Sequence, residues 1–173
     1  MTIHPDHPFL PSESERSPVR RLRGRLGGTV SLWTVGEGTR RRGLTVSSLI
    51  VADGEPAYVL ALVDPDSDLW EQLLADRVAV VQLLTWEHRS VADVFAGVAP
   101  SPGGRFRSAE FSQTPWGPLL QGATTWVGVR LSEAEPLEVG WSVLAQARVE
   151  HVGIGVETSP LVHRRGRYVR PAD

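Results

Sequence analysis

The 173 residues include 41% hydrophobic and 22% charged side chains, a balance that supports a packed core and excludes a disordered or fibrous chain. Cysteine is absent and all 18 basic residues are arginine, which excludes disulfides, thiolate metal sites, cysteine nucleophiles and lysine chemistry. The net charge of −2 gives no global field for nucleic acid, and no apolar stretch approaches the ~18 residues of a membrane span, so the expected setting is cytoplasmic, with neither nucleic acid nor membrane as partner.

Residues 1–17 mix Pro5, Pro8 and Pro11 with Ser12, Glu13, Ser14 and Glu15, and are expected to form a flexible tail ahead of one domain spanning 18–173. Pro18 suits a first helical position, and Val19, Leu22 and Leu26 follow with helical spacing until Gly27 and Gly28 stop the pattern. Thr29 to Val35 reads as a strand. A second run, Leu44 to Val51, meets the turn residues Asp53-Gly54-Glu55-Pro56, after which Ala57 to Val63 reads as a buried return strand. Asp66, Ser67 and Asp68 can cap a helix with an apolar stripe of Leu69, Trp70, Leu73 and Leu74, Glu71 serving as capping-box partner of Asp68.

Val78 to Leu84 is another strand, and Val91, Val94 and Phe95 mark a helix closed by Gly97. From Pro100 to about Gly122 the glycines and prolines predict a long loop, one that covers a site or a partner. Two late strands, Thr125 to Leu131 and Gly140 to Val152, precede an arginine-rich segment from Pro160 to Pro171. Six or so strands with two or three short helices predict a mainly β barrel rather than a doubly wound sheet.

Gly43-Leu44-Thr45-Val46-Ser47-Ser48-Leu49 places three hydroxyls within four residues, behind a glycine. Such residues either face water on a strand or donate, with nearby backbone N–H groups, to a phosphate or a carbonyl edge. The helix start at Ser67 offers the same choice between capping and anion binding.

Those two segments, followed by Phe95-Ala96-Gly97, by Trp116-Gly117-Pro118-Leu119-Leu120-Gln121-Gly122-Ala123, and by Pro160-Leu161-Val162 through Gly166-Arg167-Tyr168, resemble in order and spacing the flavin reductase family. The resemblance runs from about Val19 to Val169. It implies an FMN-binding split β-barrel, a homodimer that takes FMN (or FAD) and receives hydride from NADH or NADPH, with an oxygenase as the partner for reduced flavin. It further implies that Thr45, Val46, Ser47 and Ser48 line the flavin, that Ser67 reaches its phosphate, and that His163, Arg167 and Tyr168 lie at the closing edge.

Three departures bear on the reaction. Where many of these reductases carry Gly-Asp-His, this chain has Gly140-Trp141-Ser142, so Trp141 is expected to fill space where nicotinamide would lie. The family's aromatic-histidine pair is His163-Arg164 here, and the hydroxyl expected two residues after Ser67 is Leu69. A flavin-binding module without nicotinamide turnover is therefore the alternative. Of the six tryptophans most are expected in the core, with Trp116 near a ligand or subunit boundary. The histidines lack metal-ligand spacing, and neither a Gly-x-Ser-x-Gly elbow nor a dinucleotide fingerprint occurs.

Overall fold

The computed structural model describes residues 17–171; the tail expected at the N-terminus falls outside them apart from Ser17. Ser17 caps the first helix, its hydroxyl accepting from the N–H of Arg20 at 3.2 Å, and Pro18 occupies the first turn of α1 (Pro18–Leu26). The chain then enters β1 (Gly28–Thr29) and β2 (Ser31–Val35). Every residue of β2 is buried, because period-2 alternation sends Trp33 and Val35 into one apolar cluster and Leu32 into a second on the opposite face.

The expected strand from Leu44 to Val51 is two strands, β3 (Arg42–Val46) and β4 (Leu49–Ala52), broken at Ser47-Ser48. β4 turns into β5 (Tyr58–Val63), which is buried on one face only: Val59, Ala61 and Val63 point into the core, while Leu62 is exposed. α2 (Asp68–Asp76) follows, with Ser67 as its cap, so Asp68 and Glu71 do not form the expected capping box. Leu69, Trp70 and Leu73 are buried; Leu74 is exposed.

β6 (Val78–Leu83) and α3 (Arg89–Phe95) match their sequence signals, and the segment expected to be one long loop holds a hairpin, β7 (Phe111–Thr114) with β8 (Gly117–Leu120). Then come β9 (Thr125–Leu131), the short β10 (Leu137–Val139) and the long β11 (Ser142–Ile154). The arginine-rich end folds as a second hairpin, β12 (Val162–Arg164) with β13 (Arg167–Val169). The described residues thus carry 13 strands, about twice the number expected, and three α-helices.

The main sheet runs β3-β2-β6-β9-β11-β5-β4 with every neighbour antiparallel, and β10 adds to β11. Its two edges, β3 and β4, are consecutive in the chain and joined only by Ser47 and Ser48. The sheet must therefore curl until its edges approach, and β3 does approach β5. This is the split barrel expected from the sequence. One apolar cluster fills its interior beneath α2; the other, around Val30, Leu32, Leu84, Phe95, Leu120 and Leu161, joins the outer face to α3 and the β7–β8 segment.

Two devices fix that segment. Phe95, Phe106 and Phe111 meet edge to face with centroids 5.0, 5.9 and 4.9 Å apart, each pair contributing about 0.5–1.5 kcal/mol beyond burial. Gln82, fully buried on β6, accepts from the Leu120 N–H at 2.7 Å and donates to Thr34 Oγ1 at 3.0 Å, while Thr34 donates to the Pro118 carbonyl.

Candidate functional site

The split is pinned from two sides. Ser31 donates to the carbonyl of Val46 at 2.8 Å, and the Ser48 hydroxyl donates to the carbonyl of Leu62 at 2.9 Å while accepting from its N–H at 3.0 Å. Between them Ser47 is exposed, and its hydroxyl has no hydrogen-bond partner among the described residues. β3 is a sheet edge, so part of its backbone faces the split unpaired.

One wall is the three-stranded sheet β1-β12-β13. Gly28 packs so closely on the Ser47 carbonyl that a β-carbon would overlap it, and Gly28 pairs with His163, which pairs in turn with Tyr168. The glycine therefore lets the closing hairpin reach the split. His163 lies edge-on to Tyr168, centroids 5.9 Å apart, and its Nε2 is buried without a hydrogen-bond partner among the described residues. Burial pushes the His163 pKa down, with the positive charge of Arg23 adding to the effect, so the ring is neutral at pH 7.

The other wall is the end of β5 and the start of α2. The Ser67 hydroxyl donates to the carbonyl of Asp64 at 2.7 Å and accepts from the N–H of Trp70 at 3.3 Å. Val63 pairs with Val143, which carries the β10–β11 turn to the same rim. Trp141 in that turn is 95% exposed.

The sequence-predicted residues thus separate into groups. Ser47, Ser48, His163 and Tyr168 gather along the split, and Ser67 stands at its far wall. Thr45 and Val46 belong to the split by backbone alone: the Thr45 hydroxyl donates to the Ala92 carbonyl at 2.7 Å, and the Val46 side chain is buried in the core. Arg167 is exposed on β13 opposite Arg164. Gly28 was missed by sequence reasoning, since Gly27-Gly28 reads as a helix stop and its contact with Ser47 is long-range.

Only Trp33 and Trp70 of the six tryptophans are buried, which corrects the expectation of a mainly core role. Trp116, in the β7–β8 turn, packs against the half of β11 remote from Val143. Its ring stacks on His151 at 5.2 Å above Gly128, where a β-carbon would overlap the indole, and its Nε1 donates to Glu150 at 2.9 Å. Hydrogen bonds from Arg130 and Trp116 hold the Glu150 carboxyl below its usual range. Among the described residues no three His, Asp or Glu side chains converge to hold a metal, and no helix is long and apolar enough to cross a membrane.

The arrangement fits a flavin by its free hydroxyl, its unpaired strand edge, and a glycine-lined wall carrying an orphaned imidazole nitrogen. Comparison with known proteins gives the same direction. The chain is 27% identical over 123 residues to "FMN reductase (NADH) RutF" of Serratia proteamaculans, covering 70% of each. Its fold superposes on the Streptomyces globisporus NADH:FAD oxidoreductase SgcE6 with a TM-score of 0.80 at 23% identity, covering 95% of this chain and 98% of that one. It also superposes on the styrene monooxygenase flavin reductase of Pseudomonas putida S12, with a TM-score of 0.78 at 20% identity over 90% and 98% of the two chains. The family model described as flavin reductase like domain matches residues 23–172, and the chain belongs to that family.

Proposed function

We propose that this chain is a flavin reductase that transfers hydride from NADH to FMN, acts as a homodimer, and delivers reduced flavin to a partner oxygenase. FAD and NADPH are the alternative flavin and donor. The observation that carries the reading is the free Ser47 hydroxyl at the split, beside the unpaired edge of β3 and walled by His163. Family membership supports the flavin, and the names of the relatives support the donor and the oxygenase.

When bound, flavin supplies the ring that accepts and passes on hydride, so the chain's task is binding and orientation. Ser47 and the β3 edge donate to the acceptor side of the ring. Because the Ser67 hydroxyl is committed to its cap, a phosphate at the start of α2 is met by the N–H groups of Asp68 and Leu69. Neutral His163 offers a hydrogen bond without a competing charge, with Arg167 and Tyr168 alongside. The exposed face around Ile50, Leu62 and Leu137 supports the homodimer.

A second reading, flavin binding without nicotinamide turnover, is favoured by Gly140-Trp141-Ser142 and the exposed Trp141 at the rim. Titration of the protein with FMN, followed by flavin and tryptophan fluorescence, tests the site; anaerobic NADH and then NADPH in the same cuvette tests the reaction. Binding followed by bleaching of the flavin band supports a reductase. Binding without bleaching favours the second reading, and no binding overturns both.

A further inference from the structure

α1 packs with its apolar face turned away from the barrel. Val19, Leu22 and Leu26 recur at i, i+3 and i+7 and so share one face, and they are 75%, 60% and 74% exposed. Gly24, about 200° round the helix from Leu22, is the one partly covered residue of α1. An added β-carbon at Gly24 would stand 3.8 Å from the Arg165 Cα, and the Gly24 carbonyl accepts from the Arg165 N–H at 2.7 Å. The helix therefore rests on the β12–β13 hairpin by its glycine side, and its aliphatic stripe points into solvent. A helix of nine residues is marginal in water on its own, and burial of an apolar face is what ordinarily completes one. Here that face has no cover among the described residues.

The charge around the stripe is of one sign. Arg20, Arg21, Arg23 and Arg25 lie on the helix, and Arg164, Arg165, Arg167 and Arg170 lie on and beside the hairpin beneath it, all eight exposed. The Arg164 side chain runs alongside the end of the helix at Gly27 and joins the two groups. Residues 17–30 and 158–171 hold these eight arginines and no carboxylate, so the other ten arginines share the remainder of the chain with all 20 acidic residues. The net charge of −2 averages over this asymmetry. Apart from Arg170, which donates to Ser159 Oγ at 2.6 Å, none of the eight side chains forms a hydrogen bond or ion pair among the described residues.

Aliphatic side chains flanked by unpartnered arginines suit a partner that is apolar within and diffusely negative at its surface. Nucleic acid would set phosphates against the stripe, and neither segment presents an exposed aromatic ring to a base. A second copy seated stripe to stripe would bring four arginines against four. An anionic bilayer meets both demands. Aliphatic groups enter the boundary of headgroups and acyl chains, roughly 5–10 Å deep, while arginine stems lie along it and their heads reach the lipid phosphates. Attraction to such a surface needs no fixed register, which favours lipid over a carboxylate-rich protein for heads that nothing holds in place. We propose that α1 and the β12–β13 hairpin form a peripheral docking surface for anionic phospholipid, with Val19, Leu22 and Leu26 inserted and the arginines of both elements on the headgroups. This departs from the expectation of no membrane partner, because net charge and a search for long apolar stretches both pass over a short basic helix.

The test floats the full chain with vesicles of phosphatidylcholine alone and of phosphatidylcholine mixed with phosphatidylglycerol, at low and at physiological salt. The wild type is expected to float with the mixed vesicles only, and less as salt rises. Two variants divide the surface: L22S/L26S removes the stripe and keeps every arginine, and R20Q/R21Q/R25Q keeps the stripe. Each is expected to bind the mixed vesicles about tenfold more weakly, or less well still, while FMN affinity on the same preparations stays at the wild-type value and shows that the barrel is folded. Absence of wild-type flotation with the mixed vesicles overturns the proposal; if polyglutamate or duplex DNA binds in their place, the arginines serve an acidic protein or a nucleic acid. Flotation of L22S/L26S equal to that of the wild type overturns the insertion of the stripe. If L22S/L26S converts a dimer into a monomer in lipid-free solution, the stripe belongs to a second copy and the proposal fails.

Discussion

Three hydroxyls in four residues look alike in the sequence, and the structure separates them by what they already hold. Thr45 is bonded to a carbonyl 47 positions away and Ser48 to a backbone 14 positions away, while Ser47 is unengaged. Those commitments are long-range, which is why the sequence located the four-residue segment but not the available member. Ser47→Ala is expected to leave stability within about 0.5 kcal/mol and to weaken FMN roughly fivefold, the value of one neutral hydrogen bond. Ser48→Ala should instead cost about 1 kcal/mol, because it removes both hydrogen bonds that tie β5 to the split at Leu62. Urea unfolding beside an FMN titration separates the two, and equal stability losses would refute the distinction. His163 makes a second prediction. Its folded pKa is lowered by burial, so the unfolded chain binds the extra proton first as pH falls. Stability should fall as pH drops through about 6.5, levelling only below the folded value. His88, lowered chiefly by burial although Glu87 pulls the other way, contributes with the same sign. His163→Phe should shrink the difference between unfolding midpoints at high and low pH without abolishing it; an unchanged difference would show that His163 is not a source.

Elements whose apolar period is local were legible. β2, α2, β6, α3 and β9 lie within a residue or two of their signals, since each buries a face that its own sequence displays. The β7–β8 and β12–β13 hairpins were not legible, being three or four residues per strand and rich in glycine, proline or arginine. They exist because distant groups hold them: Gln82 and Thr34 take the polar groups of Leu120 and Pro118, and Val30 donates to the Leu161 carbonyl at 2.8 Å. The buried polar Gln82 in an otherwise apolar strand was the available clue. Gln82→Leu conserves approximate volume but strands the Leu120 N–H and removes the donor to Thr34. It should destabilise by roughly 2–4 kcal/mol, and amide exchange should rise first in 111–120. Uniform exchange across the barrel would mean that the hairpin is not held as a unit by this residue.

At the scale of the molecule, the fold leaves one sheet face without a cover. Ile50 stands opposite Leu60, Leu62 opposite Leu144, and Leu137 opposite that same Leu144, so five aliphatic side chains share the outer face of β4, β5, β11 and β10. Ile50, Leu62 and Leu137 are 62%, 41% and 61% exposed, and Trp141 overhangs the same end. A contiguous apolar patch of this kind is unfavourable in water and marks an interface. A second copy is the occupant proposed above, and the patch adjoins the split, since Leu62 both carries the patch and anchors Ser48. Covering the patch should therefore also shield one wall of the flavin site from water. The substitutions I50E and L62E together place two carboxylates on the patch with their backbones unchanged. Sedimentation equilibrium should show the wild type at twice the 18.9 kDa chain mass and the double variant at the chain mass itself. FMN affinity should fall along with the mass, because the wall is lost with the partner. A monomeric variant that still binds FMN as the wild type does would mean that each split is complete within one chain, and a wild type that sediments as a monomer would leave this face for another protein.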